Sequence, residues 1–128
     1  MHRSRLAGFI IDCRTDDLDG AATFWGQALG LEPNRESGDP EDSGYIPFHR
    51  KDPNDINIEV QRVGHESRVH LDIETDNVDA EVERLLGIGA KVVKRINTWC
   101  VMEAPTGHRF CVVRTSSSKF ADEATVWP

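Results

Sequence analysis

The feature that most constrains the fold of this chain is an internal repeat. The segment IDCRTDDLDGA, which starts at Ile11, aligns with LDIETDNVDAE, which starts at Leu71, at an offset of 60 residues. The identical pairs are Asp12 with Asp72, Thr15 with Thr75, Asp16 with Asp76 and Asp19 with Asp79. A repeat of this length predicts two copies of one supersecondary unit.

Each copy begins with alternating apolar and polar side chains, and a period of two residues is typical of a β-strand. The predicted apolar face consists of Phe9, Ile11, Cys13, Val69, Leu71 and Ile73. The opposite face includes Ile10, Asp12, His70, Asp72 and Glu74. Two strands in equivalent positions are therefore expected to present one apolar and one largely polar face each.

A helix is predicted after each of these strands. Asp16 and Asp76 are expected to accept hydrogen bonds from free N–H groups at the helix starts. Apolar residues then recur with a period near 3.6, which predicts one buried stripe per helix. The stripe residues are Leu18, Ala22, Trp25 and Leu29 in the first helix, and Val78, Val82 and Leu85 in the second. Gly30 and Gly87 or Gly89 mark the predicted helix ends.

Short strands follow each helix and complete a βαβββ pattern twice. The predicted strands are 44–50 and 56–63 in the first copy, and 91–96, 98–104 and 108–114 in the second. Residues 31–43, which contain an acidic run, are predicted to be a loop with at most a weak strand near Leu31. We predict an α+β fold with two tandem βαβββ modules, about 6–63 and about 68–114, which form one concave mixed sheet in a single domain, 1–128. The polar tail, 115–128, is expected to dock through Phe120 and Trp127, whereas His2 is expected in a frayed terminus.

Composition and charge exclude several classes of function. The formal net charge of −7 disfavours binding to the phosphate backbone of nucleic acids, which requires clustered Lys and Arg. The first apolar run, which ends before Asp12, is too short for a signal peptide or a membrane span. Three widely spaced cysteines indicate neither a disulfide framework nor a CxxC knuckle. We therefore expect a cytoplasmic protein that binds neither nucleic acid nor membrane.

The quoted motifs resemble a known superfamily. Paired βαβββ modules, the segments DLDGAATFWGQALGLEP and VHLDIETDNVDAEVERLLGIGAKVV, and the late MEAPTGHRFCVV are similar to the vicinal oxygen chelate superfamily. That superfamily includes glyoxalase I, extradiol dioxygenases and bleomycin-binding proteins, and the combination VHLDIETD…GHRFCVV most resembles its glyoxalase-like subgroup. The resemblance covers residues 6–114 and implies a small-molecule ligand and a homodimer. It specifies the fold better than the chemistry.

The resemblance also implies where metal ligands would lie. Enzymes of the superfamily place one ligand on the first and last strand of each module, and the matching positions are Ile10, Glu59, His70 and Cys111. Ile10 cannot coordinate a metal, and a Cys111 thiolate suits zinc better than Fe(II), Mn(II) or Mg(II). We therefore expect no metal cofactor. A zinc ion bound by His70, Glu59 and Cys111 is the alternative.

Two functions remain open. In the first, the protein is a glyoxalase-like lyase or isomerase in which Glu59 and His70 act as an acid–base pair. The carboxylate would then raise the pKa of His70. In the second, it is a metal-free protein that resembles bleomycin-resistance proteins and sequesters a cationic or aromatic ligand. The residues expected to line the cleft are Asp12, Gln61, Asp72, Trp99 and Arg109.

Overall fold

The computed structural model describes residues 1–38, 44–52 and 54–128. These residues contain eight strands and three helices in an α+β arrangement, as predicted. The elements are β1 (His2–Cys13), α1 (Leu18–Leu29), β2 (Tyr45–Pro47), β3 (Asn57–Arg62), β4 (Arg68–Thr75), α2 (Val78–Gly87), β5 (Lys91–Ile96), β6 (Trp99–Glu103), β7 (Arg109–Arg114), α3 (Phe120–Glu123) and β8 (Thr125–Trp127). They form two compact units: the α1 unit, residues 9–69, and the α2 unit, residues 1–8 with 70–128.

The α1 unit packs its helix on a small antiparallel arrangement. Strands β2 and β3 pair antiparallel, with Tyr45 opposite Gln61 and Pro47 opposite Glu59. The backbone N–H of Val63 donates to the carbonyl of Cys13 at the end of β1. The core side chains are Cys13, Leu18, Ala22, Ile46, Phe48 and Val60. The period-3.6 stripe of α1 thus buries its first half as predicted, whereas Leu29 is exposed.

The α2 unit has a mixed sheet. Strands β4 and β7 pair parallel, which requires a crossover connection, and α2 lies in the chain between them. Strands β7 and β6, and β6 and β5, pair antiparallel. Helix α2 and the sheet share one core, whose buried members include Val82, Leu85, Cys100, Met102, Phe110 and Val112.

Both helices begin one residue later than predicted. Asp17, not Asp16, caps α1 by accepting a hydrogen bond from the backbone N–H of Gly20 at 2.9 Å. Asn77 caps α2 by accepting from the N–H of Ala80 at 3.0 Å. The prediction was wrong because three adjacent residues at each start carry short polar side chains, and only the backbone path decides which one faces the free N–H groups.

The alternation in the first strands predicts faces better than it predicts burial. Ile11 and Cys13 pack against the α1 core as expected, and Ile73 packs against the α2 core. Phe9 and Leu71 lie on the same predicted apolar faces but are exposed. Alternation assigns a side chain to a face of the strand, and not to the part of that face that a helix covers.

The N-terminus and the C-terminal tail are both ordered parts of the α2 unit. Strand β8 pairs antiparallel with the start of β1, and the Trp127 indole N–H donates to Ser4 at 2.8 Å. The guanidinium of Arg84 lies 3.8 Å from the centre of the Trp127 ring. The expectation of a frayed His2 was wrong, because its imidazole is buried and lies 2.8 Å from the carboxylate of Glu81.

Three further points concern the loop after α1, the end of α1 and the lengths of the helices. Between α1 and β2, Pro33 forms an isolated bridge with Phe48, and residues 39–43, with the acidic run of that loop, lie outside the described part. Helix α1 ends at Gly30, whose φ of 70° is left-handed, as expected for a glycine cap. Within the described residues, every helix is too short or too polar to cross a membrane.

Candidate functional site

The candidate site lies on the face of the α2 unit sheet that points away from α2. His70 and Asp72 are two residues apart on β4, so their side chains leave the strand on the same side. Their side chains are only 13% and 20% exposed, which is less than the 42% of apolar Leu71 between them. The parallel register places Cys111 of β7 directly opposite Asp72. The polar side chains of His70 and Asp72 are therefore partly buried, whereas Leu71 on the other face of β4 is exposed.

Three side chains of this row converge. One imidazole nitrogen of His70, one carboxylate oxygen of Asp72 and the thiol sulfur of Cys111 lie within 4.8 Å of one another. His70 Nε2 is 3.5 Å from Asp72 Oδ1. That oxygen is buried and, within the described residues, makes no hydrogen bond. Cys111 is half-buried and forms no disulfide.

The chemistry of these donors fits a zinc ion. Catalytic zinc sites commonly combine three nitrogen, sulfur and oxygen ligands of the protein with one open position. Ligands bound to zinc at ~2.0–2.3 Å lie roughly 3.5 Å apart, so the three side chains need to close by only about an ångström. A buried carboxylate oxygen without a hydrogen bond is costly unless a cation or a donor approaches it. Cations that prefer oxygen ligands, such as Mg²⁺, fit this site less well, because one of its three donors is a thiol.

Glu74, the next acidic residue along β4, already has a cationic partner. Arg5 donates to Glu74 at 2.8 Å, contacts Glu123 at 2.6 Å and lies over the ring of Phe120. Burial by itself lowers the pKa of Arg5, but the hydrogen bonds to both carboxylates outweigh it and raise the pKa. Because Glu74 is held by this arginine, it is a weaker candidate ligand than Asp72.

Arg109, one of the predicted cleft residues, lies on β7 on the same face as Cys111. Its Nε is 3.3 Å from a carboxylate oxygen of Glu103, which stands opposite it on β6. Val101 stands opposite Cys111 in the same pair of strands. Asp72, Cys111 and Val101 therefore stand side by side across three strands. The ion pair of Glu103 and Arg109 lies two residues further along β6 and β7, on the same face.

Three of the predicted site residues belong to the α1 unit. Glu59 on β3 accepts a hydrogen bond from the Asn57 side chain at 2.8 Å. Asp12 is buried, and its carboxylate lies 4.0 Å from Arg68. Gln61 stands opposite Tyr45. The three-residue cluster takes all its members from the α2 unit and does not include Glu59.

Asp72 was expected to line the cleft and not to bind a metal. Its spacing of two residues from His70 along a strand places both side chains on one face, which is the sequence signal for the cluster. Trp99, also expected in the cleft, lines a separate pocket beside the start of α2, together with Arg95 and Arg114. No motif marked those two arginines, because they are distant in sequence and end different strands.

Comparison with known proteins gives a match over most of the chain. A family model described as glyoxalase-like domain matches residues 8–113. No curated protein sequence matches significantly. The match covers both repeats and every residue of the cluster.

Solved structures with the same fold come from several kinds of protein. A variant methylmalonyl-CoA epimerase from Streptomyces coelicolor, in complex with 2-nitronate-propionyl-CoA, is similar at a TM-score of 0.58 and 18% identity, covering 88% of this chain and 95% of that one. The Mn(II)-bound glyoxalase from Novosphingobium aromaticivorans is similar at 0.61 and 22%, covering 89% and 40%. A glyoxalase/bleomycin resistance protein/dioxygenase superfamily member from Vibrio splendidus is similar at 0.55 and 12%, covering 88% and 99%. At these identities the similarity establishes the fold alone.

Proposed function

The chain belongs to the glyoxalase-like domain family, and on that premise we propose that it is a lyase or isomerase for a small carbonyl compound. The substrate binds beside a zinc ion that His70, Asp72 and Cys111 hold. The convergence of these three donors on one sheltered strand face carries the proposal. It revises the earlier ligand set by replacing Glu59 with Asp72, and it replaces the expectation of a metal-free site.

Zinc, when bound, supplies a Lewis acid that polarises a carbonyl oxygen. The protein residues do the rest. Asp72 and Cys111 together offset the charge of the cation, and the pairing of β4 with β7 fixes their spacing. Glu59, the base predicted from the sequence, lies in the α1 unit, where it accepts a hydrogen bond from the amide of Asn57. The three reduced cysteines suit a cytoplasmic location.

One observation favours a second candidate, a metal-free acid–base site. His70 Nε2 lies 3.5 Å from Asp72 Oδ1, so an imidazole and a carboxylate lie side by side on one face of β4. In this candidate, His70 donates a proton to a substrate oxygen while Asp72 accepts one from carbon. Uptake of metal discriminates between the two candidates.

The experiment is metal analysis of the protein purified without an affinity tag, compared with Asp72→Asn, Cys111→Ala and the control Asp79→Asn. Asp79 is almost fully exposed and lies outside the cluster. We expect about one zinc per chain in wild type and in the control, and a loss of affinity of roughly tenfold or more in both cluster variants. A wild-type protein that takes up no zinc, or equal retention in Asp72→Asn, would contradict the zinc site.

The reaction class has a test of its own. We expect the zinc-loaded protein to exchange the hydrogen on carbon next to a carbonyl in deuterated water, or to turn over a methylglyoxal–thiol adduct, followed by proton NMR. Cys111→Ala, which weakens zinc binding, should lower the rate in parallel with its zinc content. If zinc binds but a panel of small carbonyl compounds shows no exchange and no turnover, the enzyme assignment fails and a binding role is favoured.

A further inference from the structure

A second site lies in the α2 unit, in a pocket of about 420 Å³ between the start of α2 and the hairpin that joins β5 to β6. It is lined by Arg95, Asn97 and Trp99 from the hairpin and by Arg114 from the end of β7. None of its lining residues belongs to the cluster of His70, Asp72 and Cys111. We propose that this pocket binds a small planar carboxylate, with Arg114 on the carboxylate and Trp99 against the plane of the ligand.

The balance of charge in the pocket favours an anion. Two acidic residues line it, but each already has a cationic partner. Asp76 accepts from the backbone N–H of Arg3 at 2.8 Å and lies 3.9 Å from its guanidinium. Asp79 lies 3.4 Å from Arg95.

Arg114 is the cationic residue of the pocket that takes no part in these ion pairs. It is an exposed residue that lines the pocket, and within the described residues no carboxylate pairs with it. Its backbone position is fixed, because it pairs with Thr75 at the end of β4. A guanidinium offers two parallel N–H donors, and a carboxylate matches that fork better than a spherical anion does.

The exposed indole of Trp99 is the reason for proposing a planar ligand. Its side chain is 38% exposed, although a large aromatic ring gains free energy by burial, and it is the one aromatic residue among those that line this pocket. The preceding turn is tight, since Asn97 has a φ of 49°, a left-handed conformation that asparagine tolerates better than most residues. The indole is therefore held at the mouth of the pocket by a short hairpin. A flat ligand would cover it.

The size of the pocket limits the ligand to a small molecule. A volume of about 420 Å³ lies within the range of small-molecule sites, near its lower end. A single aromatic or conjugated ring with one carboxylate fits this combination of volume, charge and exposed indole. The site does not depend on the zinc centre, so either proposal can fail without the other.

The test uses benzoate as the probe and benzamide, which has the same ring and no charge, as its comparison. The full chain is titrated with each, and the indole N–H signal of Trp99 is followed by ¹H–¹⁵N NMR after assignment with Trp99→Phe. We expect benzoate at millimolar concentration to shift this signal and benzamide to leave it in place. Added salt should weaken the benzoate effect.

Variants separate the pocket from general charge. Arg114→Gln should weaken benzoate binding about tenfold or more, and Arg114→Lys should restore only part of it, because the ammonium lacks the fork. Lys94→Gln removes one positive charge from the same hairpin outside the pocket and should bind as wild type does. Equal shifts with benzamide, equal binding in Arg114→Gln, or no shift of the Trp99 signal would each overturn the proposal.

Discussion

At the scale of single residues, Glu81 shows how a buried charge joins distant parts of the chain. The side chain is fully buried in α2 and receives both guanidinium hydrogen bonds of Arg84, at 2.7 and 2.8 Å, and a contact from His2. Burial by itself raises the pKa of Glu81, but the hydrogen bonds from Arg84, His2 and Ser4 outweigh it, so the pKa is lowered. The N-terminus, α2 and Trp127 thus share one charged anchor.

Glu81→Gln should lower the free energy of unfolding by about 2 kcal/mol near neutral pH, because it removes charge-assisted hydrogen bonds from a buried site. A lowered folded-state pKa means that this stabilisation is present above the ordinary pKa of a glutamate. It is lost as the pH falls through the folded-state value. Urea denaturation of wild type and variant at about pH 7 and about pH 3 measures the difference.

The control for this change is Glu83→Gln, an exposed position on the same helix, which should stay within about 0.5 kcal/mol of wild type. A gap between wild type and Glu81→Gln that stays constant at both pH values would contradict the assigned role of the carboxylate charge.

At the scale of elements, the start of α1 illustrates what a cap requires. Asp16 and Asp17 are adjacent, exposed and chemically identical, and the repeat singled out Asp16. In the structure the backbone N–H of Gly20 donates a hydrogen bond to the Asp17 side chain at 2.9 Å. The approach is close, since a Cβ added at Gly20 would collide with that carboxylate. The start of α1 is therefore set by Asp17, which the sequence pattern did not distinguish from Asp16.

The two aspartates form a matched pair of variants. Asp17→Ala should lower the free energy of unfolding by about 1 kcal/mol, because the helix loses its capping hydrogen bond. Asp16→Ala should change it by less than about 0.5 kcal/mol. Chemical denaturation of both proteins under one set of conditions decides the assignment, and the reverse order of effects would restore the cap predicted from the repeat.

At the scale of the whole molecule, composition and exposed apolar surface point to different properties. The net charge of −7 disfavours contact with the phosphate backbone of nucleic acids. On β4, Val69 and Leu71 are 56% and 42% exposed, which is unusual for apolar residues on one face of a strand. A second chain that covers this face is the simplest way to bury them, and we therefore expect a homodimer.

Sedimentation equilibrium should give a mass near twice the chain mass of 14.4 kDa. Val69→Lys should shift the equilibrium toward the monomer, because it places a charge on the face expected to be covered. Ile88→Lys, at an exposed apolar residue outside the strands, is the control and should remain dimeric. A wild-type protein that is monomeric at every concentration would contradict the expected assembly.

The sequence by itself determined the repeat, the α+β class, the order of β1 to β7 with α1 and α2, and the polar row that contains His70 and Asp72. These follow from periodicity and glycine positions, which are local properties of the chain. The resemblance to the family also came from local motifs, and the match over residues 8–113 confirmed it.

Only the tertiary structure decided which side chains meet. Cys111 joins His70 and Asp72 because β4 pairs parallel with β7 at one particular register, and a strand pattern does not contain its pairing partner. Arg114 and Trp99 share a pocket for the same reason, as ends of different strands. His2 meets Glu81 across 79 positions of sequence, where no local signal exists. Patterns along the chain report the face a residue occupies, and packing between elements selects its neighbours.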